Sequence, residues 1–321
     1  MLKDCIEVFQ KELNEKSERL ILDSYMPADG TYIIVSIEND DFVIKKENII
    51  ELRYDKKKKE FNVTESELNK IRQKDYYSRL ITMDKPIDKK KKIHSNSYLS
   101  FWVKKESFSQ KTDAKKRITP KIIEEYYDVL ANPYLKYKDK NSKIIYESIE
   151  EELGEIDIEK LNKVKEWVIN NIFELASVYT GKDYLKIFFD YPIEEYIREN
   201  KRYVIPNIYN KNDYNEKIDD MVLGLPNDNM QLNSDKPYLE NKTRKKFVPN
   251  LLNTEEALNQ RKFFDYLMNF ASEGLFNIYI GDEIKATSND SMPESDFCGN
   301  FLRIKKGKQL EIVSFDKIVG Y

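Results

Sequence analysis

The chain has 321 residues, a formal net charge of −3 and 12% aromatic residues, so it is long enough for two domains and too aromatic to be disordered. Two cysteines, Cys5 and Cys298, lie near opposite ends, which excludes a disulfide framework and, beside a single histidine, a structural zinc site. The chain has neither a run of 18 apolar residues nor an apolar signal region, so we expect no membrane span and a cytoplasmic location.

Hydrophobic periodicity predicts helices and strands in alternation through the first half of the chain. Apolar residues recur on one helical face over residues 2–13. Thr64 and Glu67 have the spacing of a capping box at the start of a second helix, and Thr119 with Pro120 begins a third. Strands are predicted at residues 31–37, 41–46 and 98–103, the first two as an antiparallel pair.

The second half continues with longer helices and closes on strands. A helix over residues 158–180 ends before Gly181, a short one begins at Pro192, and one capped by Thr254 ends at Gly274. Strands are predicted at residues 183–189, 202–206, 275–280, 300–306 and 309–315, the last two as a hairpin around Gly307.

These elements predict an α+β fold with mixed strands and amphipathic helices and no βαβ repeat. Residues 207–253 have weak periodicity and many Asn, Asp and Pro residues, so we predict a long ordered loop there. The predicted division is an N-terminal α+β region with a basic loop (1–118) and a helical and mixed α+β region that includes the long loop (119–321).

Charge is segregated along the chain although the total is near neutral. Between residues 85 and 121, twelve lysines and arginines face three acids, and four of those lysines, Lys89 to Lys92, are consecutive. Phosphate groups are the natural ligand of such a block, and the aromatic residues that follow it are typical of nucleic-acid binding. The alternative is a solvated loop ahead of a core strand, in which Phe101 and Trp102 point to opposite sides and at least one is buried.

A second polar block covers residues 223–249, LGLPNDNMQLNSDKPYLENKTRKKFVP. Its asparagines carry amides that can read a base edge, adenine in particular, and its lysines and arginine can bind phosphates. The alternative is that Asn and Pro only build the turns of a long loop.

Catalytic patterns are weak. His94 is the only histidine, so a Ser-His-Asp or Cys-His arrangement would depend on it alone. Asp282, Glu283 and Lys285 follow a predicted strand and leave a metal-dependent nuclease as an alternative, although such triplets arise by chance in a chain this rich in Glu and Lys. No phosphate-binding glycine loop or dinucleotide fingerprint occurs, and we predict no enzyme and no cofactor.

An acidic segment offers a further alternative. Residues 146–160 contain seven acids and one lysine. Such a segment favours a basic partner, so a protein-docking scaffold without direct nucleic-acid readout stays open beside the binding hypothesis.

Five stretches of the chain resemble the large subunit of the type I-B CRISPR interference complex, Cascade. They are LILDSYMPADGTYIIV, KKKKIHSNSYLSFWVKKESF, YYDVLANPYLKYK, the block of residues 223–249, and FFDYLMNFASEGLFNIYI. The resemblance covers most of the chain, and the stretches are long.

The resemblance implies a non-catalytic subunit of a crRNA-guided surveillance complex in antiviral defence. In such complexes the guide RNA reads the target by base pairing, and the protein recognises a short PAM duplex. The implied partners are crRNA, target double-stranded DNA, the backbone and crRNA-end subunits, and the helicase–nuclease effector. The family's C-terminal helical bundle has no counterpart before Tyr321, so the chain is similar to the N-terminal portion.

Chemistry placed on these stretches gives the predicted nucleic-acid contacts. The predicted phosphate contacts in the first block are Lys90, Lys91, Lys92, Lys104 and Lys105. The predicted base-edge contacts are His94, Asn96, Asn227 and Asn229. Contacts to the crRNA 5′ region or the target backbone are predicted at Lys242, Arg244 and Lys245.

Overall fold

A computed structural model gives the structure of the protein and describes residues 2–109, 111–218, 221–227, 251–289, 296–307 and 309–320. The chain forms two compact units, which are described separately. Unit 1 combines Met1–Met26 with Ile208–Tyr321, and unit 2 is Pro27–Asn207.

Helices and short sheets are mixed along the chain. The helices are α1 (Leu2–Lys16), α2 (Arg19–Leu22), α3 (Glu65–Ser78), α4 (Pro120–Ala131), α5 (Lys140–Leu153), α6 (Ile158–Val178), α7 (Ile193–Asn207) and α8 (Thr254–Glu273). The strands are β1 (Gly30–Glu38), β2 (Asp41–Leu52), β3 (Tyr54–Asp55), β4 (Glu60–Phe61), β5 (Ser100–Lys104), β6 (Tyr184–Phe189), β7 (Glu216–Ile218), β8 (Met221–Leu223), β9 (Asn277–Ile280), β10 (Ile284–Thr287), β11 (Cys298–Lys306) and β12 (Leu310–Val319). The predicted α+β class is confirmed.

Unit 2 is built on a four-stranded sheet in the order β2-β1-β6-β5. The central pair, β1 and β6, is parallel, while β2 and β5 flank it in antiparallel orientation. Lys186 of β6 lies in register between Tyr32 of β1 and Trp102 of β5. A lysine in the middle of a central strand needs a partner, and the helices supply it.

The two faces of this sheet are covered by different helices. Phe101 faces α4, where its ring centroid lies 6.1 Å from that of Tyr126. Trp102, one residue on, faces the opposite side with Lys186, whose ammonium group pairs with Asp75 of α3. The predicted alternation of Phe101 and Trp102 is therefore correct, and both side chains are buried.

The helix starts follow local sequence signals. The Thr64 hydroxyl accepts from the Glu67 N–H and the Glu67 carboxylate accepts from the Thr64 N–H, which completes the predicted capping box. Thr119 caps α4, with Pro120 as its first residue. The α5 helix, which begins after Asp139, was not predicted.

Unit 1 contains an antiparallel sheet in the order β10-β9-β11-β12 and the helices α1, α2 and α8. Phe9 of α1 packs on Phe263 of α8, with ring centroids 5.5 Å apart. The buried Glu12 carboxylate of α1 accepts from the Ile284 N–H at 2.6 Å, which joins this helix to the sheet. Among the described residues, no helix has the length and apolarity that crossing a bilayer requires.

Three predicted elements differ from the structure. Residues 202–206 form the end of α7 rather than a strand, because burial along that helix outweighs the β-propensity of Val204 and Ile205. The cap of α8 is Asn253 rather than Thr254, and its side chain accepts from the Glu256 N–H. Inside the predicted loop, β7 and β8 form a short hairpin, and residues 228–250 lie outside the described part.

The structure divides the chain differently from the predicted boundary at residues 118 and 119. That boundary falls inside unit 2, where β5 pairs with β6 along its whole length. The pairing joins residues 100–104 to residues 184–188. Because these strands are far apart in the chain, local sequence patterns do not predict that they belong to one sheet.

Candidate nucleic-acid interface

The basic loop, residues 88–93, is organised by one carboxylate. The buried Asp88 side chain accepts from the backbone N–H groups of Lys90 at 2.7 Å, Lys92 at 2.6 Å and Ile93 at 3.2 Å. Lys91 has a φ of 56°, which turns the chain back, and its N–H donates to the Asp88 carbonyl. This turn leaves Lys89, Lys90 and Lys91 exposed on a fixed backbone.

A second basic segment lies against this loop. Asp113 accepts from the Lys115 N–H and begins a short 3₁₀ turn that carries Lys115 and Lys116, both exposed. The Lys92 ammonium group donates to the Lys115 carbonyl, which joins the two segments. We call the resulting six lysines the basic surface; they are Lys89, Lys90, Lys91, Lys92, Lys115 and Lys116.

The six lysines of the basic surface outnumber the three acids beside them, Asp84, Asp88 and Asp113. Partial burial lowers the pKa of Lys92 against the attraction of Asp88 and Asp113, and the charges of Lys90 and Lys116 add a smaller lowering. Lys91 pairs with the exposed Asp84 at 3.1 Å. An anion that bridged these lysines would relieve their repulsion, and this is the electrostatic condition for binding a phosphate chain.

His94 supports the loop from its inner side. Its Nε2 lies 3.3 Å from the Lys91 carbonyl, which can only accept, so Nε2 carries the proton and Nδ1 accepts from the Tyr184 hydroxyl at 3.1 Å. Burial lowers the pKa of His94, with Lys104 and Lys186 as minor contributors, so the ring is neutral at pH 7. Both ring nitrogens of His94 are hydrogen-bonded within the protein, so the side chain has no free donor or acceptor for the predicted base-edge contact.

Two predicted contacts are corrected by burial. Asn96 is 1% exposed, and its Nδ2 donates to the backbone carbonyls of Tyr77 and Arg79 at the end of α3. Lys105 is 5% exposed, and its ammonium group pairs with Asp183 at 3.2 Å. Neither side chain reaches the surface of unit 2, so neither contacts a nucleic acid.

The other predicted contacts divide by location. Lys104 is exposed at the end of β5, with Glu106 4.0 Å away. Asn227 belongs to unit 1, is half-buried, and donates its backbone N–H to the Ile208 carbonyl. Four predicted contacts lie outside the described residues: Asn229, Lys242, Arg244 and Lys245.

The pentapeptide of the basic loop occurs twice in unit 2. Residues 55–59 repeat the sequence DKKKK of residues 88–92, and the Asp55 carboxylate likewise accepts from backbone N–H groups, those of Lys57 and Lys58. This copy forms the turn between β3 and β4, and its Lys58 pairs with Glu60 at 3.8 Å. This second lysine run was not singled out from the sequence. The turn at residues 88–92 differs from the turn at residues 55–59 because the basic segment with Lys115 and Lys116 lies beside it.

The alternatives gain no support from the described part of the chain. Asp282 and Glu283 are exposed in the turn between β9 and β10, and the described residues contain no group of three or more His, Cys, Asp or Glu side chains that could hold a metal. In the acidic segment, Glu147 pairs with Lys143, and Glu152 pairs with Lys201. These intramolecular pairs reduce the charge available to a basic partner.

Comparison of the chain with protein-family models, with curated proteins and with solved structures finds no match. The resemblance to a CRISPR large subunit thus stays a prediction that depends on the five sequence stretches.

Proposed function

We propose that the chain is a large subunit of a type I-B CRISPR interference complex and acts there without catalysis. It works in the cytoplasm, where it binds the PAM-side duplex of the target DNA and the 5′ region of the crRNA. It assembles with the backbone and crRNA-end subunits and helps to recruit the helicase–nuclease in antiviral defence. The five similar stretches support the family, and the basic surface supports the binding role.

The basic surface is the single structural observation that carries the binding role in this proposal. The Asp88 carboxylate fixes the backbone of the loop before any ligand binds, so that binding does not have to order it. Lysines bind phosphates as point charges and do not distinguish bases, which suits a protein that relies on a guide RNA for sequence. The corrections at His94 and Asn96 remove the predicted base-edge contacts of unit 2, and the exposed lysines that remain there bind a backbone rather than read a base.

The experiment that tests the proposed function is purification of the tagged chain from its own cells, followed by sequencing of the bound RNA. The expected result is enrichment of short RNAs that contain CRISPR repeat sequence, together with the other subunits of the complex. Bound RNA that mirrors the total cellular pool, or no bound RNA, would contradict the proposal.

A variant of the basic surface sharpens this experiment. Lys90→Ala, Lys91→Ala and Lys92→Ala together remove three exposed or half-exposed charges without touching the core. The matched control is Lys56→Ala, Lys57→Ala and Lys58→Ala, which removes the same charge from the second DKKKK turn. We expect only the first variant to lose binding to the target DNA duplex.

A further inference from the structure

A cleft in unit 2 contains polar groups that the proposed function does not use. Its apolar wall includes Ile87, Val129 and Leu130, and Arg202 of α7 lies in its polar wall. The cavity volume is about 30 Å³, and the cleft is open to solvent on one side. This volume holds about two water molecules or one group of similar size. We call it the Arg202 cleft.

Arg202 presents an unsatisfied guanidinium to this cleft. Its side chain is 5% exposed, and its Nε donates to the Glu199 carboxylate at 3.0 Å, one turn earlier in α7. Neither Nη1 nor Nη2 has a hydrogen-bond partner among the described residues. The two Nη atoms of a guanidinium lie side by side at the spacing of two oxygens of a carboxylate or phosphate.

Two tyrosine hydroxyls line the same cleft. Tyr98 is 1% exposed, and its hydroxyl has no hydrogen-bond partner among the described residues. The Tyr146 hydroxyl lies against Arg202, and a side-chain hydrogen bond with the guanidinium, followed by its charge, counteracts the rise that burial causes in the pKa of Tyr146. The contact does not reach strict hydrogen-bond geometry. Two acceptors in the same lining, Asn96 Oδ1 and Glu199 Oε1, also have no hydrogen-bond partner in the described part of the chain. Burial of five such polar side chains around one cavity is costly unless a ligand or solvent completes them.

The charges around the cleft favour an anion. Lys136 lines it and donates to the Lys85 and Pro86 carbonyls at 3.2 and 2.6 Å, which leaves one N–H of the ammonium group. Among the described residues, Glu199 is the acid that lines the cleft. Its Oε2 accepts from the Arg202 Nε, and its Oε1 lies 3.3 Å from the Arg198 Nε but accepts no hydrogen bond there. The positive charges of Arg198 and Arg202 thus exceed the single negative charge, and Lys136, whose pKa burial lowers to about 7, adds only a partial charge near neutral pH.

We propose that the Arg202 cleft binds one oxyanion group, the carboxylate or phosphate of a small molecule. Nη1 and Nη2 of Arg202 donate to two of its oxygens, and the hydroxyls of Tyr98 and Tyr146 donate to the remaining lone pairs. The apolar wall excludes competing water from one side, which strengthens these hydrogen bonds.

The test is titration of the intact chain with inorganic phosphate and, separately, with acetate, followed by calorimetry and by the melting temperature. For the anion that fits, the expected Kd is of the order of 1 mM, as for a single charged group held by a few hydrogen bonds. A response to phosphate alone assigns a phosphate group, and a response to acetate alone assigns a carboxylate.

The decisive variants are Tyr98→Phe and Tyr146→Phe, alone and combined. Among the residues that the structure describes, the Tyr98 hydroxyl has no hydrogen-bond partner and the Tyr146 hydroxyl has only the poorly aligned contact with Arg202, so the melting temperature without anion is expected to change little or rise. Each variant is expected to weaken anion binding by about fivefold, the effect of one lost hydrogen bond. Arg202→Gln is a poorer test, because it also breaks the pair with Glu199.

The triple variant of Lys90, Lys91 and Lys92 to Ala separates this site from the basic surface. It is expected to keep the anion response. Three results would overturn the inference: no response to either anion in the unmodified chain, an equal response in the double tyrosine variant, or loss of the response in the lysine variant. The first would mean that water completes the cleft.

Discussion

Lys186 and Asp75 form an ion pair in the interior of unit 2, with 2.5 Å between Nζ and Oδ1 and side chains that are 2% and 0% exposed. The ammonium group also lies 3.8 Å from the ring centroid of Trp102 and 4.9 Å from that of Tyr32. The pair joins α3 to the central strand of the sheet whose edge strand, β5, follows the basic loop. Burial lowers the pKa of Lys186, and Asp75 opposes that effect.

Lys186→Met is expected to lower the free energy of unfolding by about 3–5 kcal/mol, because it leaves the Asp75 carboxylate buried without its cation. Asp75→Leu is expected to have a similar cost. The double variant Lys186→Met with Asp75→Leu is expected to recover most of the loss, since an apolar pair of similar volume carries no desolvation penalty. Urea unfolding of the four proteins measures these values, and a double variant as unstable as the sum of the two singles would contradict the account.

Asp88→Ala is expected to release the backbone of the basic loop. Three N–H groups lose their acceptor, and that of Ile93 is in the interior, so we expect a loss of about 1–3 kcal/mol in local stability. The measurement is amide hydrogen exchange of the peptide that contains residues 88–93, which is expected to speed up in the variant. Asp55→Ala is the control, and its smaller effect follows from the exposure of that turn. Unchanged exchange in residues 88–93 would show that the carboxylate does not hold the loop.

Lys136 is expected to make stability depend on pH. Burial lowers its pKa to about 7, and the charge of Lys85 adds to that effect, while the rings of Tyr137 and Tyr203 lie within 5.7 Å of the ammonium group. Between pH 7 and 10 the unfolded chain binds a proton at this lysine that the folded chain does not, so the free energy of unfolding rises with pH. The expected contribution is at most about 1.4 kcal/mol per pH unit.

The comparison protein for this effect is Lys136→Met, which keeps the length of the side chain and cannot be protonated. Urea unfolding at a series of pH values from 6 to 9 is expected to show the unmodified chain gaining stability relative to the variant as the pH rises. A constant difference between the two proteins over this range would mean that Lys136 is charged in the folded state.

Local signals in the sequence predicted much of the fold. The capping box of Thr64 and Glu67, the start of α4 at Pro120 and the opposite orientation of Phe101 and Trp102 all depend on residues close together in the chain, and all three were predicted correctly. The end of α7 was predicted as a strand because its β-branched residues favour one. The decisive contribution there is burial within the folded unit, which a short window of sequence does not contain.

The candidate site was harder to predict, because burial of polar residues depends on distant partners. Lys105 pairs with Asp183, and Asn96 donates to a backbone carbonyl at the end of α3. Because these partners are distant in the chain, the sequence around each residue does not show that its side chain is buried. The Arg202 cleft was missed for the same reason. The spacing of Glu199 and Arg202, three residues apart in a segment with apolar neighbours, is the signal that could have indicated a buried pair.

Binding of a nucleic-acid backbone by the basic surface can be measured through the salt dependence of duplex DNA binding in three proteins. These are the unmodified chain, the variant with Lys90, Lys91 and Lys92 changed to Ala, and the control with Lys56, Lys57 and Lys58 changed to Ala. We expect the slope of log affinity against log salt to flatten by about 0.9 for each lost phosphate contact in the first variant, up to about 3 in all, and by less than about 1 in the control. Equal slopes in the two variants, or a slope that neither variant changes, would contradict this expectation.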